Sequence, residues 1–135
     1  MTKTTSGPID RQIFIGGCSR SGTTLLGAML GAHSECICPP ESHFKISILG
    51  ACGWDKDAVD VQTALNLIAR HWRFKIWELD IDPAEVSEKE LGTSYPRLLG
   101  WIVARHAETL DKSGASIWVD HTPANIRDGP TLLEL

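Results

Sequence analysis

One arginine, a run of glycine and hydroxyl residues and a nearby glutamate are the side chains here best suited to anion chemistry. The run is Gly17-Cys18-Ser19-Arg20-Ser21-Gly22-Thr23-Thr24. Before it stands Ile13-Phe14-Ile15, apolar and β-favouring, as a strand covered on both faces should be. After it, residues 23–33 read as a helix. In a strand, glycine-bearing loop and helix met in this order, N–H groups of the loop and of the helix's first turn lack internal partners. They carry partial positive charge and suit a phosphate-like anion. Arg20 adds a planar fork of donors inside the loop.

The spacing from Gly17 to Gly22-Thr23-Thr24 matches the phosphate-loop pattern G-x-x-x-x-G-K-[ST], except that Thr23 fills the lysine slot. Nucleoside-triphosphate enzymes use that lysine on the outer phosphates, so its replacement argues against an ordinary kinase or ATPase. The positive charge sits at Arg20 instead.

Ser19-Arg20-Ser21-Gly22-Thr23-Thr24-Leu25-Leu26 resembles the 5′-phosphosulfate loop of sulfotransferases that use 3′-phosphoadenosine 5′-phosphosulfate (PAPS). Ser19 stands where that motif usually opens with proline. The resemblance continues through residues 28–33 to Pro39-Pro40-Glu41-Ser42, and is nearest to the tyrosylprotein and bacterial-type branch. In that branch a glutamate shortly after the first helix is the proposed catalytic base, and Glu41 falls on it. Trp118-Val119-Asp120-His121-Thr122-Pro123 is similar to the family's Lys-Thr-Pro segment, with His121 in the lysine position.

The resemblance implies sulfuryl transfer from PAPS to a hydroxyl or amine acceptor, with no metal. Ser19, Arg20, Ser21, Gly22, Thr23 and Thr24 would bind the donor; Glu41 would take the acceptor's proton. Arg20 would stabilise the charge that builds on the leaving group. His121 reads either as a polar residue at a strand end or as a donor to that charge. Two rivals stay open: a P-loop kinase-like phosphotransferase using ATP and Mg²⁺, and a non-catalytic remnant or interaction module.

The elements that must position these groups form an α/β pattern. The expected strands are residues 12–16 and 116–120, and residues 35–38 are extended up to Pro39-Pro40. Between them lies a helical insertion over about 43–113. A short helix is expected at 43–50 and a turn at 53–55. A helix over 57–72 would bury Val61, Ala64, Leu65, Ile68 and Trp72. A short helix over 83–90 is capped by Asp82. A helix opened by Ser94 carries Tyr95, Leu98, Leu99, Ile102, His106 and Leu110 on one face. Residues 73–79 settle on no period. His33 is expected to cap the first helix's C-terminus, and the five tryptophans read as packing residues rather than an acceptor platform.

The expected fold is therefore a P-loop-like parallel sheet flanked by helices, over residues 11–135. It looks incomplete, the N-terminal half of a sulfotransferase domain, because two strands cannot complete such a sheet. Apolar faces of the helices over 57–72 and 94–111 would then stay exposed and favour self-association. Residues 1–10 read as a disordered tail.

Composition narrows the partners. The chain has 135 residues, is 42% hydrophobic and 22% charged, and carries a net charge of −4, which offers no electrostatic case for nucleic acid. No apolar run approaches the ~20 residues of a membrane span, and no signal core precedes the domain; both favour the cytoplasm. Cys36 and Cys38 form half of a metal-site spacing without a second pair, so the four cysteines (Cys18, Cys36, Cys38, Cys52) read as reduced and buried.

Overall fold

The computed structural model describes residues 7–135. Three strands form one parallel sheet in the order β1-β3-β2: β1 (Arg11–Phe14), β2 (Cys36–Ile37) and β3 (Ile117–Asp120). The extended segment before Pro39-Pro40 is thus a true third strand. It is two residues long, too short for a periodicity to reveal it. The central position goes to β3, the last strand made, which pairs Arg11 with Ile117 on one side and Cys36 with Ile117 on the other.

Helix α1 (Thr23–Gly31) connects β1 to β2. Between β2 and β3 come α2 (Phe44–Ala51), α3 (Val61–Arg70), α4 (Glu88–Leu91) and α5 (Tyr95–Thr109); α6 (Gly129–Leu132) follows β3. The alternation of β3 separates two cores. Val119 packs with Ile15 and Cys36 beside Leu30 of α1, whereas Trp118 faces the larger core built from the helical segment. Phe44 meets Phe74 and Trp77 edge-on in that core, with Phe44–Phe74 centroids 5.4 Å apart.

Covering of β1 differs from expectation. It lies at a sheet edge, so Ile13 is 39% exposed and only Ile15, just past the strand, is buried. Exposed apolar surface also falls elsewhere than expected. The α3 and α5 stripes are buried in the main core. Large exposed side chains sit instead on the outer side of α1, at Leu25 and Met29, and at Leu133.

Several element ends were moved by tertiary contacts. Asp60 caps α3 by accepting from Thr63 N at 2.9 Å, but the helix stops at Arg70 and leaves Trp72 66% exposed. Residues Phe74–Trp77 form a 3₁₀ turn, whose three-residue period buries Phe74 and Trp77 and exposes Ile76. The expected 83–90 helix is two pieces: a 3₁₀ turn (Pro83–Glu85) capped by Asp82, then α4. Val86 between them is buried and extended, its carbonyl taking a hydrogen bond from Gln62 of α3. The face of α5 is buried as expected up to His106, but Leu110 lies past the helix and is exposed.

The last turn of α1 is not capped by His33, which is exposed and accepts from Glu35 N through Nδ1. Lys112, from the α5–β3 connection, does that work: its ammonium donates to the carbonyls of Gly31, His33 and Cys36. A cation delivered from 79 to 81 positions away is invisible to local reading. Of the expected tail, residues 1–6 lie outside the described residues, while Ile9 is buried and donates to Gly100 O at 3.1 Å. Gly100 is needed there, because a Cβ would lie 2.0 Å from Ile9 O. Among the described residues no helix is long and apolar enough to cross a membrane.

Candidate active site

The loop after β1 is laid against the end of β3. Ile15 N donates to Asp120 O at 2.7 Å and Gly17 N to Pro123 O at 3.1 Å. Gly16 allows this approach; a Cβ there would sit 2.4 Å from the backbone nitrogen of Ile126. Arg20 and Gly22 take left-handed backbone, with φ of 60° and 94°, so the loop curls before entering α1. Ser21 is exposed and donates through Oγ to Cys18 O at 2.6 Å. No side chain caps α1, so its first-turn N–H groups remain available to an anion.

This loop forms one wall of an open cleft of about 1050 Å³. Ser19, Arg20, Gly22, Thr23 and Thr24 line it together with Glu41, His43 and Pro123, Ala124 and Ile126 of the 3₁₀ turn Pro123–Ile126. Arg20, the head of α1 and Glu41 therefore share one space. Arg73, which no local pattern singled out, also lines it. Its guanidinium stacks on the exposed Trp72 ring, 4.5 Å from the centroid.

Glu41 is held on both its backbone and its side chain. Its carbonyl accepts from Trp77 Nε1 at 3.2 Å, and its Oε2 lies 2.5 Å from His43 Nε2. Both side chains are about three-quarters buried. His71 is biased toward neutrality by partial burial, and by the neighbouring Arg73 charge.

Behind Glu41 lies a buried polar network that sequence reading missed. Asp120, 2% exposed, receives Ser42 Oγ at 2.6 Å, Thr122 N at 3.0 Å and Thr122 Oγ1 at 2.5 Å. Lys45 Nζ, on α2, is 2.9 Å from Asp120 and donates to Asn125 Oδ1 at 2.6 Å. Asn125 Nδ2 in turn donates to Ile15 O at 2.9 Å, and Ser42 N to Thr122 Oγ1 at 2.8 Å. One network thus ties the glutamate's neighbour, the end of β3 and the root of the anion loop. Burial alone would raise the Asp120 pKa; Lys45 and the two hydroxyls outweigh it and hold it below the ordinary carboxylate value. The available signal was a lysine inside the apolar run Phe44-Lys45-Ile46 and an aspartate ending an apolar strand.

His121 does not join the loop cleft. Its ring is 8% exposed and packs on α1 where Gly27 brings the helix close. It lines a second cleft, with Thr24 and Ala28 common to both. The cysteines are all free; Cys36 is buried, Cys38 and Cys52 are partly buried and Cys18 is exposed in the loop, against the uniform burial expected. Among the described residues no group of three or more His, Cys, Asp or Glu could hold a metal ion.

With this geometry in place, comparison with known proteins is decisive for the family. A model described as "Sulfotransferase family" matches residues 12–135. The chain belongs to the sulfotransferase family. It is similar to protein-tyrosine sulfotransferase 2 of Gallus gallus, at 30% identity over 97 residues, which is 71% of this chain. The chain spans 22% of that relative's length. No solved structure matches it. Family membership agrees with the parallel sheet, the flanking helices and the loop-to-α1 junction described above.

Proposed function

We propose that residues 17–24 bind the 5′-phosphosulfate of PAPS, and that the chain serves sulfuryl transfer to a hydroxyl or amine acceptor. The observation that supports this most is the convergence of Arg20, the uncapped head of α1 and Glu41 on one cleft. The donor set fits a doubly charged tail: backbone N–H groups, the Thr23 and Thr24 hydroxyls and one guanidinium.

PAPS supplies an activated sulfuryl group. Glu41 accepts the acceptor's proton as the acceptor oxygen or nitrogen bonds to sulfur, while the bond between sulfur and the 5′-phosphate oxygen breaks. His43 holds the Glu41 carboxylate in place. Arg20 and the α1 amides stabilise the negative charge gathered on the departing 3′,5′-adenosine bisphosphate, donors fixed before the reaction begins. Thr23 in the lysine slot favours this over ATP chemistry.

Calorimetric titration of 3′,5′-adenosine bisphosphate tests the reading. We expect saturable binding that Arg20→Ala weakens by about 1.5–3 kcal/mol, the scale of a hydrogen bond to a charged group. Equal binding by both proteins would defeat the assignment, and a clear preference for Mg·ATP would move it to phosphoryl transfer.

A further inference from the structure

Arg73 lines the loop cleft together with Arg20, Glu41 and His43. The two arginines are the permanently charged cations of that lining. Among the described residues neither is ion-paired; the Glu41 carboxylate is engaged by His43 at 2.5 Å instead. In a chain of net charge −4, two unpaired guanidiniums on one cleft suit an anion with more than one charged group.

Arg73 is carried by an anchored segment. Its backbone N–H donates to His71 Nδ1 at 3.2 Å, and its guanidinium lies 4.5 Å from the Trp72 ring centroid. It directly precedes the 3₁₀ turn Phe74–Trp77. Phe74 of that turn meets Phe44 of α2 edge-on, and Trp77 Nε1 donates to the Glu41 carbonyl at 3.2 Å. Arg73 and Glu41 thus belong to one packed unit, joined through Trp77. Trp72 is 66% exposed, so the guanidinium is free to leave its face for a stronger, anionic partner.

In loops of this spacing a lysine after the last glycine reaches the outer groups of the bound anion. Thr23 holds that slot here, and His121 lines the second cleft rather than this one. The loop therefore supplies no lysine to the anion's outer end. In-line transfer fixes where that end lies. Glu41 takes the acceptor's proton, so the acceptor atom lies beside Glu41, and sulfur lies between that atom and the loop. The sulfuryl oxygens are then the anionic atoms on the Glu41 side, and Arg73 is the permanent cation of the unit that carries Glu41.

We propose that Arg73 is a donor-contacting residue that holds the sulfuryl end of PAPS, while Arg20 and the α1 amides hold the 5′-phosphate. This assignment rests on the sulfuryl-transfer reading. A planar fork across two sulfuryl oxygens fixes rotation about the sulfur–oxygen bond and turns sulfur toward the acceptor. Thr23, on the loop side, brings no charge to that task.

The test compares two ligands that differ in the sulfuryl group. PAPS and 3′,5′-adenosine bisphosphate are titrated by calorimetry, without acceptor, into the unaltered chain and into Arg73→Ala. The substitution should weaken PAPS binding by about tenfold or more, the scale of a charge-assisted hydrogen bond. It should weaken bisphosphate binding by less than about threefold, the part a solvent-screened charge contributes. Arg20→Ala should weaken both ligands, since both carry the 5′-phosphate. Arg73→Lys should recover part of the PAPS affinity, because it restores the charge without the fork. Should Arg73→Ala not fold, Arg73→Gln, which keeps the side chain's length, takes its place. Equal weakening of both ligands, or no weakening of either, would overturn the assignment; the second result would give Arg73 to the acceptor. Failure of both ligands to bind the unaltered chain would instead sink the donor-loop reading and this assignment with it. Bisphosphate binding that depends on Arg20 but treats Arg73→Ala and the unaltered chain alike toward PAPS would sink the Arg73 assignment alone.

Discussion

Lys45→Met tests the polar network that stands behind the candidate site. The substitution keeps much of the side chain's apolar length and removes its ammonium. At 2.9 Å, and with an effective dielectric near 20, the gross attraction to Asp120 is about 6 kcal/mol, against which the desolvation of both ions must be set. Removing one partner spares none of that desolvation for the other. Asp120 would remain a carboxylate with a side chain 1% exposed, and Asn125 Oδ1 would lose its lysine donor. Breaking such buried pairs costs about 3–5 kcal/mol, a large part of the roughly 5–15 kcal/mol that holds a domain together. Urea unfolding followed by tryptophan fluorescence should show this loss. The double variant Lys45→Met/Asp120→Asn should lose less than the sum of the singles, since the asparagine no longer strands a charge. The pH dependence has a defined sign. The Asp120 pKa is lower folded than unfolded, so its stabilisation is complete above the ordinary carboxylate value of about 3.9 and is lost as pH falls through the folded value. Asp120→Asn should remove that part of the acid limb. A loss below about 1 kcal/mol in Lys45→Met, the worth of one ordinary hydrogen bond, or strict additivity in the double variant, would refute the reasoning.

In a complete enzyme, Glu41→Gln should keep donor affinity and lower turnover by about 10²–10⁴-fold, read from initial rates at saturating PAPS; normal turnover with collapsed donor binding would make Glu41 a structural residue. Gly16→Ala should destabilise the chain by about 1–3 kcal/mol through overpacking, because its new carbon would meet Ile126 N at 2.4 Å. It should also weaken bisphosphate binding by displacing the loop root. Wild-type values in both the urea and the titration experiments would show that the loop has room to spare.

What the sequence by itself determined is what short stretches of chain decide. The strand–loop–helix from β1 to α1 was legible because its signals, an apolar triplet, Gly22 at a left-handed turn and donor-rich residues, are contiguous. The caps at Asp82 and Ser94 were legible for the same reason, since each side chain accepts from an N–H two or three residues on. Glu41 was reached through its resemblance to a family motif, not through any local physical signal. Tertiary structure decided the rest. β2 exists because β3 supplies its partner, and β1 is half exposed because it lies at the sheet edge. Lys112 rather than His33 caps α1, Arg73 enters the loop cleft, and His121 lines the second cleft instead. Ser42 joins Asp120, and Lys45 joins Asn125, across 78 and 80 positions of sequence. A buried charge or polar atom must find its partner wherever the fold brings one, and at that separation nothing in the local order of residues says which partner that is.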